Sequence, residues 1–223
     1  MKTTQKKFTI ILGLVLSSFI LKAQDANWYE YEMENVKINF PTEEVYQLDT
    51  VINGLSLKQL YAQIDNSTFI VQKLLAESGI SDKNLSSLPY NRETLIEYYE
   101  GVIEGVKKRN QAEYVQNDEI KIGELIGFNS LVYNTIESPI VESRLLLAGE
   151  DLIMLSIYNP EESLSEVNDA FLNSLNLENL NSLEQYSGQS GAYRFGYLLG
   201  QFAIYAILGI GLFFMIKLFR RRK

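Results

Sequence analysis

Carboxylates and aromatic rings are the side chains that could do chemistry in this sequence, because cysteine and histidine are both absent from its 223 residues. The absence of cysteine excludes disulfides, thiolate nucleophiles and metal sites built on sulfur. The absence of histidine removes the commonest general base and the commonest ligand of transition metals. Ser56 and Lys58 have the spacing of a Ser–Lys dyad on a strand, but one such pair is expected by chance. Since glycine-rich phosphate loops are also absent, the sequence predicts a protein that is not an enzyme and that holds no metal or cofactor.

The 28 acidic residues leave one catalytic class open, an enzyme that uses only carboxylates. Adjacent acids occur at Glu43-Glu44, Asp118-Glu119 and Glu161-Glu162, in predicted loops or at a helix start. A glycosidase needs two acids on either side of a sugar-binding cleft, which is a tertiary arrangement. A solvated acidic surface is therefore the main interpretation of these residues. A carboxylate-only hydrolase outside the cytoplasm is the alternative.

Aromatic residues are abundant, with 14 tyrosines and 11 phenylalanines. Trp28, Tyr29 and Tyr31 cluster near the start of the predicted mature chain, and Tyr98 lies at the edge of a predicted buried helix stripe. Exposed tyrosine is enriched at binding surfaces. These four residues are therefore candidates for a binding surface, with packing in the core as the alternative.

The N-terminal segment has the pattern of a secretory signal peptide. Met1 to Lys7 carries three lysines, Phe8 to Leu21 contains no charge, and Ala23 is a small residue at the exit. The alternative is an uncleaved anchor, but fourteen helical residues rise only about 21 Å, short of a hydrocarbon layer of roughly 30 Å. The sequence therefore predicts a signal peptide at residues 1–23.

The C-terminal segment predicts a transmembrane helix over residues 195–217. Phe195 to Ile216 carries no charge, and these twenty-two residues would rise about 33 Å, enough to cross a bilayer. The basic residues at and beyond its end are Lys217, Arg220, Arg221, Arg222 and Lys223. Basic clusters stay in the cytoplasm, so residues 218–223 are predicted to form a cytoplasmic tail. The domain and linker before the helix are then expected to face the periplasm from a bacterial inner membrane. The alternative is a sorting tail removed by a protease, although no proline-containing sorting motif precedes the helix.

The predicted membrane helix contains a small-residue motif. Gly196 and Gly200 form G-x-x-x-G, and Gln201 is the one strongly polar side chain in the helix. Small residues let helices approach closely, and an amide can hydrogen-bond across the contact. The three residues are candidates for a helix–helix contact, including homo-oligomerisation through the membrane.

Charge is distributed unevenly along the chain. Ten basic residues face all 28 acidic residues between positions 24 and 193, a charge of about −18. Such a balance argues against nucleic acid as a partner and suits a soluble domain held off the membrane. Residues 179–194 are rich in asparagine, serine, glutamine and glycine, which predicts a flexible linker between this domain and the helix.

Residues 24–178 predict one α+β domain with a mostly antiparallel sheet of six to eight strands flanked by helices. Asn53-Gly54 is a strong hairpin signal between the strand pattern of Glu44 to Val51 and that of Leu55 to Ile64. Asn91 is a helix cap, and the helix is predicted to end near Arg109.

A second helix is predicted to start at Asn159-Pro160-Glu161-Glu162, with Phe171 in its apolar stripe. Phe40-Pro41, which closes the strand VKINFP, and FLNSLNL at residues 171–177 resemble the first strand and last helix of PsbP-like domains. The resemblance covers about residues 30–178, although Leu175 stands where an aromatic residue is usual and the histidines of plant members are absent.

The resemblance implies a binding or assembly module around a membrane complex and not a catalyst. Together with the signal peptide and the C-terminal helix, it predicts the architecture of a bacterial membrane-anchored protein. The expected partner is another extracytoplasmic or membrane protein.

Overall fold

The computed structural model of the chain describes residues 27–52, 55–76, 88–135, 138–178 and 183–186, together with Gly196 and Gly200. These residues form ten strands, two α-helices and a short 3₁₀ helix at Glu162–Leu164. The elements are β1 (Tyr29–Met33), β2 (Val36–Phe40), β3 (Tyr46–Ile52), β4 (Leu55–Ile64), β5 (Ser67–Ala76), α1 (Arg92–Arg109), β6 (Tyr114–Ile122), β7 (Leu125–Thr135), β8 (Ser138–Ala148), β9 (Asp151–Tyr158), α2 (Ser165–Asn173) and β10 (Asn176–Leu177).

Seven of the strands form one sheet in the order β3-β4-β5-β9-β8-β7-β6, and every neighbouring pair is antiparallel. The prediction of an α+β domain with a mostly antiparallel sheet of six to eight strands is confirmed. A second sheet, β1-β2-β10, was not predicted, because β10 is only two residues long and gives no alternation to detect.

The two faces of the large sheet are both covered. On β9, Ile153 and Leu155 belong to the core on one face, while Leu152 and Met154 belong to the core on the other. Alternate residues of a strand point to opposite faces, so an unbroken apolar run such as Leu152–Leu155 is what a strand buried on both faces requires. We call the two sides the α1 face and the α2 face, after the helix that packs on each.

Helix α1 begins at a capping box. Asn91 Oδ1 accepts from the Thr94 backbone N–H at 2.8 Å, and the Asn91 N–H donates to Thr94 Oγ1 at 3.2 Å. The predicted apolar stripe is buried against the sheet: Leu95, Tyr99, Val102 and Val106. The predicted N-cap and the predicted C-terminus at Arg109 are both confirmed.

On the α2 face, Phe171 joins α2 to both sheets. Its ring centroid lies 5.4 Å from that of Phe40 on β2 and 5.2 Å from that of Phe69 on β5. All three rings are fully buried. The two segments on which the sequence resemblance depended therefore meet in one core.

Candidate functional site

A cleft opens on the α2 face where the start of β8, the turn after β9 and the start of α2 meet. It encloses about 360 Å³. Its lining includes four carboxylates, Glu142, Glu161, Glu162 and Asp169, and no basic residue among the residues that the structure describes. We call this site the acidic cleft, defined by these four residues together with Asn168.

Backbone geometry after β9 places Glu161 at the cleft. Asn159 adopts a left-handed conformation with φ of 50°, its N–H donates to Ile140 O at 2.9 Å, and its carbonyl accepts from Ser67 Oγ at 2.8 Å. The Glu161 carboxylate then accepts from the Asn66 N–H at 3.3 Å and from Ser163 Oγ at 3.2 Å. The turn is therefore held on two strands. The regular helix starts at Ser165, later than the sequence predicted, because Glu161 is extended, with φ of −91° and ψ of 136°, and the next turn, Glu162–Leu164, is a 3₁₀ helix.

Asn168 is the buried polar group of the cleft. It is only 4% exposed, and its Nδ2 donates to Glu161 O at 3.4 Å. Its Oδ1 is buried and has no hydrogen-bond partner among the described residues. An unsatisfied buried acceptor costs about 1–3 kcal/mol, so a ligand that brings an N–H donor to Oδ1 would recover that energy.

The ionisation of Glu142 is affected by its surroundings in the cleft. Burial raises the pKa of Glu142, the charge of Asp169 raises it further, and Arg144 partly opposes both effects. The guanidinium of Arg144 is occupied elsewhere, since Nη1 donates to Leu172 O and to Asn173 Oδ1, each at 2.8 Å, at the C-terminal end of α2. A cation in the cleft would therefore stabilise the ionised form of Glu142, which burial and the charge of Asp169 destabilise.

This arrangement suits recognition of a cationic N–H donor. A lysine ammonium or an arginine guanidinium would donate to Asn168 Oδ1 and pair with the carboxylates, and charge-assisted hydrogen bonds of this kind are the strong ones. The described Asp and Glu residues include no group of three or more arranged around a single metal-ion position.

The predicted aromatic surface is only partly exposed. Trp28 is 37% exposed, whereas Tyr29 and Tyr31 are half-buried on β1. Tyr31 packs on Phe40 at 5.6 Å, and its hydroxyl donates to Glu43 O at 2.8 Å. Tyr98 is fully buried, so its prediction as a binding-surface residue is wrong. The reason is that α1 is covered on a second side, next to the stripe that faces the sheet.

The candidate helix–helix glycines lie against α1. A β-carbon built on Gly196 would lie 2.1 Å from the carbonyl oxygen of Tyr98, and one built on Gly200 would lie 2.0 Å from that of Val102. Glycine is required at both positions, because real β-carbons do not approach a backbone oxygen so closely. Gln201, Lys217, Arg220, Arg221, Arg222 and Lys223 lie outside the described residues, as do the predicted signal peptide and tail. In the part of the chain that the structure describes, no helix combines the length and the apolarity that a membrane crossing needs.

Four residues of the predicted linker, 183–186, are described, and they are bound to the domain where the sequence predicted flexibility. Gln185 is 5% exposed. Its Oε1 accepts from the Ile126 N–H, and its Nε2 donates to the carbonyls of Ile126 and Leu147, all at 2.8 Å. Gly149 N–H donates to Glu184 O at 2.9 Å.

Sequence reasoning found Glu161-Glu162 only as a surface pair and missed Glu142, Asn168 and Gln185. Glu142 lies in the alternating pattern of β8, where a charged residue reads as solvent-facing. Asn168 interrupts the apolar stripe of α2 between Leu164 and Phe171, a signal that could have marked a buried polar group.

No protein-family model matches the chain, and no curated protein matches it. Among solved structures, the chain is similar to the solution structure of cyanobacterial PsbP (CyanoP) from Synechocystis sp. PCC 6803, with a TM-score of 0.44 and 10% sequence identity. The similarity covers 69% of this chain and 94% of that chain. This similarity is to the kind of domain that residues 30–178 of the sequence resemble.

Proposed function

We propose that this protein is a single-pass membrane protein whose extracytoplasmic domain binds a partner protein through the acidic cleft. The group that enters the cleft is a lysine or arginine side chain of the partner. The role of the domain is then assembly or scaffolding at the periplasmic surface of a bacterial inner membrane.

One observation carries the proposal: Asn168 Oδ1 is a buried acceptor without a partner among the described residues, in a cleft with four carboxylates. A fold gains nothing by leaving such an acceptor unsatisfied, and a ligand that donates a hydrogen bond removes the cost. The raised pKa of Glu142 also supports a cationic ligand, because it shows that the cleft by itself stabilises the negative charge of Glu142 poorly.

The membrane part of the proposal is supported by the sequence. The basic residues before Phe8 and those after Ile216 flank two apolar segments on their cytoplasmic sides, so both segments favour the same orientation. The acidic balance of residues 24–193 suits a domain that faces away from anionic lipid.

A nuclear magnetic resonance titration tests the proposal. The full chain, labelled with ¹⁵N and held in detergent micelles, is titrated with N-acetyl-arginine amide and N-acetyl-lysine amide. We expect saturable shifts of the Asn168 side-chain amide, whose Nδ2 donates to Glu161 O within the cleft. N-acetyl-glutamate amide is the matched control. Shifts that are absent, or equal for the cationic and anionic compounds, would reject the proposal.

A carboxylate-only hydrolase is the second candidate. It is favoured by the raised pKa of Glu142 and by the charge of Asp169 that contributes to it, since a general acid needs a raised pKa. The test is hydrolysis of a panel of nitrophenyl glycosides by the parent chain and by Glu142→Gln. Turnover that the substitution abolishes would favour the enzyme, and equal background rates would favour the binding module.

A further inference from the structure

Helix α1 is buried on a wider arc than the sheet can account for. Besides the stripe that faces the sheet, Thr94, Tyr98, Gly101 and Gly105 are buried. With 3.6 residues per turn, these four lie on the flank of the helix, beside the stripe. Gly101 and Gly105 form a G-x-x-x-G motif of their own, which leaves the backbone of this flank open to close approach.

Gly196 and Gly200, a second G-x-x-x-G motif, meet α1 at Tyr98 and Val102. The positions that their β-carbons would occupy are 2.1 and 2.0 Å from the carbonyl oxygens of those two residues. Backbone therefore contacts backbone, as in the tightest helix–helix contacts. The beginning of the C-terminal apolar segment is thus placed on the folded domain.

The α1 face of β4 and β5 is also buried. Gln59 and Ile70 are fully buried, Gln72 is 1% exposed and Tyr61 is 5% exposed. Helix α1 lies closest to β6 and β7 at the other end of the sheet. β4 and β7 are separated by four strand spacings, about 19 Å, whereas a helix with its side chains is about 10–12 Å wide. Leu57 and Leu74 share a buried core with α1. Farther along the same two strands, a second element is needed to cover the paired residues Gln59, Gln72, Tyr61 and Ile70.

We propose that the α1 face of β4 and β5 is a docking surface for the chain's own C-terminal apolar segment, residues 201–216, seated on α1 through Gly196 and Gly200. The segment starts at the right place, immediately after the glycine that contacts Val102. Sixteen helical residues extend about 24 Å, which exceeds the separation of about 19 Å between β4 and β7. Residues 77–87, which follow β5 in the sequence, are too polar to cover Ile70 and Tyr61.

The polar groups on the two sides also match. The segment from Phe195 to Ile216 carries one strongly polar side chain, Gln201. On the sheet, Gln72 Nε2 donates to Gln59 Oε1 at 2.8 Å, and Gln59 Nε2 is buried without a partner among the described residues. A glutamine near the start of the docked segment supplies the acceptor that Gln59 lacks.

Docking and membrane insertion exclude one another. If Gly196 and Gly200 stay on α1, the apolar residues left for the bilayer are 201–216, about 24 Å of helix against roughly 30 Å of hydrocarbon. Full insertion therefore requires the segment to leave α1. The docked state shields the segment in water, and the inserted state exposes the face of β4 and β5.

Cysteine labelling tests this exchange, because the chain contains no natural cysteine. Three single variants of the full chain are made by cell-free synthesis without lipid and treated with a polyethylene-glycol maleimide. Ile70→Cys reports on the docking face, Ala62→Cys reports on the buried opposite face, and Val51→Cys, at a position 57% exposed, gives the unprotected rate. We expect the thiols at positions 70 and 62 to react at least about tenfold more slowly than the thiol at position 51, as the complete burial of the first two positions requires.

Gly196→Ala with Gly200→Ala adds two methyl groups that collide with backbone oxygens and changes little else. In this background the thiol at position 70 should react about tenfold faster while the thiol at position 62 stays protected, because docking is lost and the domain stays folded. Vesicles of phosphatidylcholine and phosphatidylglycerol should expose the position-70 thiol in the Ile70→Cys chain without any glycine change.

If the thiol at position 62 also becomes reactive in the alanine background, the two alanines have unfolded the domain. The vesicle experiment, which needs no glycine change, then tests the proposal. Two results would overturn the proposal. One is a protected thiol at position 70 in the folded alanine background. The other is a protected thiol at position 70 in chains that sediment with the vesicles after carbonate washing.

Discussion

Lys73 Nζ and Glu34 Oε2 are 2.5 Å apart, and this ion pair joins the turn of the first hairpin to the centre of the large sheet. Lys73 is 3% exposed and also contacts Asp151 Oδ2 at 3.0 Å and Asn35 Oδ1 at 2.7 Å. Hydrogen bonds from Lys58 and Lys73 lower the pKa of Glu34. The pKa of Asp151 is raised although it contacts the same lysine, because burial outweighs the single ion pair there. Glu34 is therefore the main counter-ion of Lys73.

Glu34→Gln should lower the free energy of unfolding by about 1 kcal/mol at pH 7, since it weakens the compensation of a buried ammonium while Asp151 stays in place and solvent screens the partly exposed Glu34. Chemical denaturation measures the change, with Glu30→Gln on the same hairpin as an exposed control. Because the pKa of Glu34 is lowered in the folded state, its contribution is present above the unfolded pKa of about 4.3 and is lost as the pH falls through the folded pKa. A difference between parent and variant that is as large at pH 3 as at pH 7 would contradict this assignment.

Phe171→Ala should lower the free energy of unfolding by about 3–5 kcal/mol, because it empties a fully buried position between Phe40 and Phe69. Glu166→Ala, on the exposed side of the same helix, should change it by less than about 0.5 kcal/mol. Thermal or chemical unfolding of the two variants gives the comparison. Equal stabilities would mean that α2 does not hold the two sheets together.

Gln185→Leu should lower the free energy of unfolding by about 2–4 kcal/mol, because it leaves the Ile126 N–H and the Leu147 carbonyl without their partner. It should also speed proteolysis around residues 183–186, since these hydrogen bonds hold Gln185 on the sheet. Glu184→Gln changes an exposed side chain next to it and is the matched control. Proteolysis at the same rate in both variants would show that the contact of Gln185 does not restrain this stretch.

Local sequence patterns are sufficient to predict the strands of the large sheet and helix α1. Leu55–Ile64 was predicted with the observed bounds because its alternation is bounded by a hairpin signal and a turn. Asn91 was predicted as a cap because its side chain satisfies an N–H only a few residues away. Both predictions depend on interactions that are short in sequence.

The candidate site depends on interactions that are long in sequence. Asn66 and Glu161, which help to shape the acidic cleft, are brought together by the pairing of β5 with β9. Gln185 lies in a stretch whose composition is that of a flexible linker, whereas hydrogen bonds to backbone groups of Ile126, Leu147 and Gly149 hold residues 184 and 185 on the sheet. The helix pattern predicts an exposed edge at Tyr98, because nothing in it indicates that Gly196 will lie against the backbone of Tyr98.

The segment that we propose as a membrane anchor, residues 195–217, should stay in the mature protein. An epitope tag fused after Lys223 should be retained on the membrane-bound protein, because the five basic residues resist transfer across the bilayer. Immunoblotting of the membrane fraction for the tag and for the domain makes the check. A membrane-associated or surface form that has lost the tag while keeping the domain would favour a processed sorting tail.

The binding of a basic peptide to the acidic cleft tests the central claim most directly. Isothermal titration of the full chain in micelles with tetra-arginine should give saturable binding that Glu142→Gln and Asn168→Ala each weaken by about tenfold or more, the loss of one charge-assisted or buried hydrogen bond. Glu166→Gln on α2, outside the cleft, should leave the affinity unchanged. Since burial raises the pKa of Glu142 and the cation needs its ionised form, the affinity of the parent should rise as the pH increases through that pKa, and the rise should be lost in Glu142→Gln. Binding that is equally tight in all four proteins, or that does not depend on pH, would contradict the assignment of the acidic cleft as the site of recognition.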